Sequence, residues 1–155
     1  MIGAEILNRT TIARSVTFFA GIIEFVLCGM MFLMAAFSLT GYLILAWNPT
    51  VHVAAAAIDT DLGVLALFAF IFGLAGAVSA MQRWSLSLSV VGAALITSWG
   101  LLETWYSLSY LGSDDIPVGV TEGTFALFCA MLVIILVVGT KEQFKPHALA
   151  RAGNI

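Results

Sequence analysis

Between Arg14 and Trp47 lies a long, mostly apolar run in which Glu24 is the only formal charge. A membrane-spanning helix needs about 20 consecutive apolar residues, whereas the core helices of soluble domains use much shorter apolar runs. Of the 155 residues in the chain, 61% are hydrophobic and 10% are charged. A typical soluble domain has about 25% charged residues. The sequence therefore predicts an integral membrane protein, with the lipid bilayer as one of its partners.

Four apolar segments follow one another, at about residues 15–46, 62–82, 85–110 and 118–140. Each is long enough to cross a lipid core of about 30 Å. The first is longer than one crossing requires, so we expect it to bend or project near residues 38–41, or to tilt strongly. We predict an all-α fold with a single transmembrane four-helix bundle over residues 15–144. An amphipathic lead-in at residues 1–14 and a flexible tail at residues 145–155 flank it.

The charged residues divide between the two ends of this bundle. If four helices alternate across the membrane, all six basic residues fall on one side, namely Arg9, Arg14, Arg83, Lys141, Lys145 and Arg151. The other side carries Asp59, Asp61, Asp114 and Asp115, with Glu122 just inside the fourth segment. Because basic residues resist translocation, we expect both termini to be cytoplasmic, with the bundle in the cell (plasma) membrane. Six scattered bases also argue against a nucleic-acid-binding surface.

Small residues recur every three or four positions along each segment. This pattern is typical of helices that approach one another closely in lipid, where dispersion and backbone contact drive association. We expect the small residues to face inward and the large aliphatic residues and phenylalanines to face lipid. The glycines expected at helix contacts are Gly21, Gly73, Gly76, Gly92, Gly119 and Gly123.

Glu24 is the main candidate for chemistry. It follows Arg14 by ten residues, which places it ~15 Å into the membrane. An ionised carboxylate is costly at that depth, so we expect the group to be mostly protonated at neutral pH. One hypothesis is a proton or cation site. The other is a neutral, hydrogen-bonded helix contact, within the chain or with a partner protein.

The other segments offer Gly73, Gly92 and Met131 at the depth of Glu24, and no Lys, Arg or His. We therefore expect the carboxyl to be paired with a backbone carbonyl exposed at a glycine, a hydroxyl, water, or a residue of another subunit. Glu103 follows Arg83 by twenty residues and so lies ~30 Å across, at the outer boundary. It is either a hydrated interfacial acid or the outer mouth of a path that leads to Glu24.

Metal and cofactor sites are weakly indicated. The acidic outer links, with His52, could bind a hard cation, but no loop has the spacing of a calcium motif. The soft ligands Cys28, Met30 and Met34 suit copper(I), although methionine is also an adaptable core filler. The sequence contains no nucleophile set, phosphate loop or zinc signature. We predict no cofactor, no dedicated metal site and no enzymatic activity.

Two resemblances extend this interpretation. Residues 20–25 (AGIIEF) and 137–144 (VVGTKEQF) resemble a broad group of small, mostly uncharacterised four-helix membrane proteins common in archaea and some bacteria. This resemblance implies a four-helix bundle and no known activity. Glu24 also occupies a place similar to that of the membrane glutamate in the first helix of small multidrug-resistance transporters. The present chain differs from them in its longer outer links and its strong charge bias.

Three functions follow from these observations. The first is a non-enzymatic structural or accessory subunit of a larger membrane complex, or a homo-oligomer. The second is a small proton-coupled transporter or channel that uses Glu24, with Glu103 near its exit. The third is a copper(I)-handling protein that uses Met30 and Met34.

Overall fold

Four long helices make up the computed structural model, which describes residues 2–46, 53–110 and 116–144. The helices are α1 (Ile2–Ala46), α2 (Val53–Gln82), α3 (Leu86–Tyr110) and α4 (Ile116–Gly139), and a short 3₁₀ turn follows at Lys141–Phe144. Each helix contains a stretch that is long and apolar enough to cross a membrane: Thr10–Gly41, Asp61–Gln82, Leu86–Ser109 and Gly119–Gly139. The prediction of an all-α fold with four such helices is confirmed.

Helix α1 is longer than the others and runs without interruption. Its apolar stretch has 32 residues, against 22, 24 and 21 in α2, α3 and α4. The helix continues through residues 38–41, and residues 2–14 form its first turns. No break in the helix accounts for its extra length. A helix of this length is accommodated if it tilts in the membrane or projects beyond the bundle. Residues 47–52, 111–115 and 145–155, which include His52, Asp114, Asp115 and the predicted flexible tail, lie outside the described residues.

The helices pack in chain order, α1 on α2, α2 on α3 and α3 on α4, and α4 returns to α1. Small side chains fill the interior, and many large apolar side chains point outward. The exposed set includes Phe18, Phe19, Phe25, Phe32 and Phe37 of α1, Phe68 and Phe72 of α2, and Phe125 and Phe128 of α4. A helix that must pack in lipid shows this distribution, because lipid tails accept large apolar side chains and close backbone approach needs small ones.

Glycines lie where the helix backbones come closest. A methyl group added at Gly21 of α1 would lie 2.9 Å from the carbonyl oxygen of Ala77 on α2. Between α3 and α4 the contact is mutual: a methyl at Gly100 would meet the oxygen of Gly123 at 2.6 Å, and one at Gly123 would meet the oxygen of Gly100 at 2.8 Å. Backbone atoms cannot move aside as a flexible side chain can, so glycine is required at these crossings.

The turn between α2 and α3 is held by two serines. The amide of Ser85 donates to Oγ of Ser79 at 2.7 Å, and that hydroxyl donates to the Ser85 carbonyl at 2.8 Å. Oγ of Ser85 accepts from the amide of Leu88 at 3.3 Å and so caps the start of α3. Between these elements Arg83 has φ of 59°, which allows the chain to reverse within three residues.

Candidate functional site: a carboxyl group enclosed by three helices

The carboxyl group of Glu24 lies inside the bundle. Its residue has 0% exposure, although the neighbours Phe25 and Val26 on the same helix are exposed. On the same side of α1, Ala20, Gly21, Cys28 and Met31 are also buried. The three- and four-residue spacing of this set places Glu24 on the face that packs against α2 and α3.

One carboxyl oxygen has a hydrogen-bond partner and the other has none among the described residues. Oγ of Ser89 on α3 donates to Oε2 of Glu24 at 3.1 Å, in a bond between fully buried side chains. Oε1 is buried as well and has no hydrogen-bond partner in the part of the chain that the structure describes. A buried polar atom without a partner is uncommon and costs stability, so its surroundings require an explanation.

Two glycines on facing helices make room for Oε1. A methyl group added at Gly92 of α3 would lie 2.5 Å from Oε1 and 2.7 Å from the carbonyl oxygen of Phe72 on α2. A methyl at Gly76 of α2 would collide with the same carboxyl oxygen and lie 2.9 Å from the carbonyl oxygen of Leu88 on α3. The carboxyl group therefore sits in a notch at the crossing of α2 and α3, and any larger side chain at either glycine would fill that notch.

This arrangement favours the neutral acid. The group is fully buried in the bundle, and its hydrogen-bond partner among the described side chains is a hydroxyl. The carbonyl oxygens of Phe72 and Leu88 border the notch, and a protonated carboxyl can donate to a carbonyl whereas a carboxylate can only accept. Chemically, the notch can hold a carboxylic acid that links three helices, and it can exchange a proton if the bundle opens.

Sequence reasoning included a hydroxyl among the expected partners of Glu24 but did not identify Ser89. The available signal was the position of Ser89 three residues before Gly92, among the small residues of the third segment. Gly73, expected at the depth of Glu24, instead faces Cys28: a methyl there would lie 2.7 Å from Sγ. Met131, also expected at that depth, is 47% exposed and points away from the site.

The proposed copper ligands lie in or against one apolar core. Cys28 is a free, buried thiol, and Cys129 is free and half-buried. Met30 and Met34 are half-buried and pack against the apolar core that contains Cys28, which is the ordinary role of methionine in a core. Among the described residues, no three His, Cys, Asp or Glu side chains come together as metal ligands would.

Glu103 occupies a second polar region, between α3 and α4. Its Oε1 would lie 3.3 Å from a methyl added at Gly119, which also faces the hydroxyl of Ser107. That hydroxyl is buried and has no hydrogen-bond partner among the described residues. Glu103 is 14 residues beyond Ser89 on α3, or ~21 Å along the helix. The structure therefore does not bring the two glutamates together. On the acidic end, Asp61 is exposed and Glu122 is half-buried.

Gly29 lies on the outward face of α1 and, like Gly41 and Gly139, has open space at its Cβ position among the described residues. A methyl group added at Gly29 would meet nothing within 4 Å. Gly29 lies in an apolar groove of about 350 Å³ between α1 and α2, lined also by Phe25, Cys28, Phe32, Phe70 and Leu74. One heptad away, Ala36 is exposed on the same side of α1. The glycines that do pack, in contrast, are those of the bundle interior, among them all six that the sequence places at helix contacts.

No protein-family model, curated protein or solved structure matches this chain. The function proposed below therefore rests on the residues of the chain itself.

Proposed function

We propose that this chain is a non-enzymatic, multi-pass membrane protein that works as a subunit of a larger membrane assembly, either with other subunits or with copies of itself. Its four long apolar helices suit a multi-pass membrane protein. The charge distribution supports a plasma-membrane protein with both termini in the cytoplasm.

The observation that carries the subunit role is the open position of Gly29. Glycine in the middle of a helix costs about 1 kcal/mol relative to alanine. Inside the bundle that cost is offset by close backbone contact, but at Gly29 no described atom, apart from its neighbours along α1, lies within 4 Å of the missing methyl group. Small residues on an outward helix face are the usual contact points for another transmembrane helix. The groove at Gly29, continued by Ala36, fits such a helix.

The enclosed position of Glu24 supports the same role. Because Ser89 and the glycine notch surround the carboxyl within the protomer, Glu24 is not needed for contact with a partner subunit. It acts as an internal link that holds α1 against α2 and α3, so that the bundle presents its α1 face as a defined surface. Association then depends on the groove and not on the buried acid.

Cysteine cross-linking tests this proposal. In a Cys28→Ala/Cys129→Ala background, Gly29→Cys is oxidised in native membranes and compared with Phe128→Cys, an exposed position on α4 at a similar predicted depth. We expect disulfide-linked homodimers, or cross-links to a partner with a bifunctional reagent, from position 29 and not from position 128. Equal cross-linking at both positions would contradict a specific surface. Recovery of a lone, monodisperse 16.5 kDa protomer from mild detergent would count against the subunit role altogether.

A second candidate function is proton coupling in a small transporter or channel, and one observation favours it. Oε1 of Glu24 is a buried acceptor without a partner among the described residues, and a bound proton would convert it into a donor to the neighbouring carbonyls. Proteoliposome flux measured with Glu24→Gln tests this function, because glutamine keeps the shape and cannot exchange a proton. Flux that is unchanged by the substitution would remove Glu24 as the coupling residue.

A further inference from the structure

A small cleft opens between α2 and α3 at the end of the bundle opposite the Arg83 turn. Its volume is about 250 Å³, and its lining consists of Asp61, Leu62, Leu65, Leu102, Trp105 and Tyr106. This is smaller than the roughly 300–1,000 Å³ of pockets that enclose drug-sized ligands. The cleft is therefore suited to one small group with a chain extending from it.

The lining is polarised along the helix axes. Helices α2 and α3 are antiparallel neighbours, so the start of the α2 span and the end of α3 lie at the same level. Asp61 precedes Leu65 by four residues, and Trp105 and Tyr106 follow Leu102 by three and four residues, which is ~4.5–6 Å along each helix. The carboxylate and the two aromatic rings thus share the outer end of the cleft, and the leucines extend from them toward the middle of the bundle.

The outer end has the chemistry of a cation site. Asp61 is the first residue of the α2 span and is exposed, and Trp105, which lines the same cleft, is 59% exposed. A carboxylate next to aromatic rings attracts an ammonium group through charge and through the ring faces. None of the described residues that line the cleft is basic, so the lining has no positive charge to pair with an anionic group and favours the ammonium end of a headgroup.

The geometry points to a bound membrane lipid with a positively charged amino headgroup, its ammonium at Asp61 and Trp105 and its acyl chain along Leu62, Leu65 and Leu102. This assignment rests on the chain lying in a membrane, as proposed above. The two ends of such a lipid match the two ends of the cleft. Its charged headgroup lies at the depth of the aromatic rings, and its hydrocarbon chain lies deeper, along the leucines. Membrane topology places aromatic and acidic residues at this end of the bundle, and the lipid assignment adds the reason why Asp61, Trp105 and Tyr106 line one cleft together with three leucines.

Native mass spectrometry of the delipidated full-length protein tests the assignment. The probes are phosphatidylethanolamine and its N-acetylated form with identical acyl chains, which differ in the amino charge. We expect one phosphatidylethanolamine to bind the wild-type protein about fivefold more tightly than the acetylated lipid, as expected for one ion pair near a wet surface. Asp61→Asn should reduce that preference to less than about twofold. Trp105→Leu should weaken phosphatidylethanolamine binding roughly threefold.

Two substitutions outside the cleft serve as controls. Glu122→Gln removes another acid from the same end of the bundle, and Trp84→Leu removes an exposed tryptophan from the opposite end. Both should keep the wild-type preference. Because Asp61 is exposed, Asp61→Asn should fold normally, which a thermal melt verifies.

The assignment is overturned if the two lipids bind equally, or if the preference survives Asp61→Asn. Displacement of the lipid by free ethanolamine at the same concentration would assign the cleft to a soluble amine and overturn the lipid. The readout is the lipid preference of the purified protein in whatever oligomeric state it is recovered, so it can fail while cross-linking at Gly29 succeeds, and the reverse also holds.

Discussion

The hydroxyl of Ser89 donates a hydrogen bond of 3.1 Å to Oε2 of Glu24, which lies 65 residues earlier in the chain. This bond joins α1 to α3, two helices that otherwise touch little. The bond lies at the crossing of α2 and α3, where Gly76 of α2 and Gly92 of α3 leave room for the carboxyl group. The polar contact and the glycine crossing therefore depend on one another.

The first prediction concerns this bond. Ser89→Ala removes the donor and leaves both oxygens of Glu24 buried without that partner, which should lower the free energy of unfolding by about 1–3 kcal/mol. Unfolding in detergent, followed by circular dichroism, measures the change. The matched control is Ser98→Ala on the same helix, because the Ser98 hydroxyl is exposed and bonds to the carbonyl of Ala94. Equal losses in the two variants would show that the bond to Glu24 contributes nothing specific.

Much of the architecture could be predicted from sequence, because lipid imposes simple rules. The position of Arg83 between two apolar segments, with the remaining bases outside them, indicates an even number of crossings. The position of Glu24 among small residues indicates an inward face. Those rules can be applied to one helix at a time. The structure has four candidate spans, which is the number that the rules predict.

The partners of Glu24 could not be predicted because they depend on how the helices are rotated and shifted against one another. Counting residues from each boundary places Gly73 level with Glu24, but in the structure Gly76, three residues further on, meets the carboxyl, and Gly73 meets Cys28. A shift of one helical turn is only ~5.4 Å. Tilt and crossing angle produce shifts of that size, and neither can be read from the apolar pattern.

The second prediction compares two glycines. Gly92→Ala places a methyl 2.7 Å from the Phe72 carbonyl and 2.8 Å from the Cα of Gly73, so α2 and α3 must separate, at a cost of about 1–3 kcal/mol or more. The methyl group of Gly29→Ala has open space among the described residues, so this substitution should stabilise the protomer by up to about 1 kcal/mol through helix propensity. Thermal unfolding of the two variants in the same detergent measures both. A loss at Gly29 equal to that at Gly92 would contradict the open position of Gly29.

The third prediction is a coupling between Gly76 and Glu24. In Gly76→Ala the added methyl would press on the carboxyl and on the Leu88 carbonyl oxygen. Glu24→Ala relieves only the first contact, so the double variant should lose less stability than the sum of the single variants, by about 0.5–3 kcal/mol. The control pairs Glu24→Ala with Gly100→Ala, which faces the Gly123 carbonyl instead; these changes should add to within about 0.5 kcal/mol. Additivity in both pairs would place the carboxyl away from Gly76.

The fourth prediction concerns the left-handed residue in the turn. Arg83 has φ of 59°, a conformation that costs a residue with a side chain about 1–2 kcal/mol and costs glycine little. Arg83→Gly should therefore raise the melting temperature, whereas Arg83→Lys should leave it unchanged. Equal melting temperatures for the two variants would mean that the turn carries no such strain.

The fifth prediction tests the orientation from which the depth of Glu24 follows. In a Cys28→Ala/Cys129→Ala background, Asp61→Cys places a single exposed thiol at the start of the α2 span, and Trp84→Cys places one in the turn that follows its other end. If the termini are cytoplasmic, a membrane-impermeant maleimide added to intact cells should label position 61 and not position 84. Permeabilised cells should be labelled at both positions, which shows that each thiol is reactive. Labelling at position 84 alone in intact cells would place the basic end of the bundle outside the cell. The predicted orientation would then be wrong, since the basic residues would lie on the outer side against their usual bias.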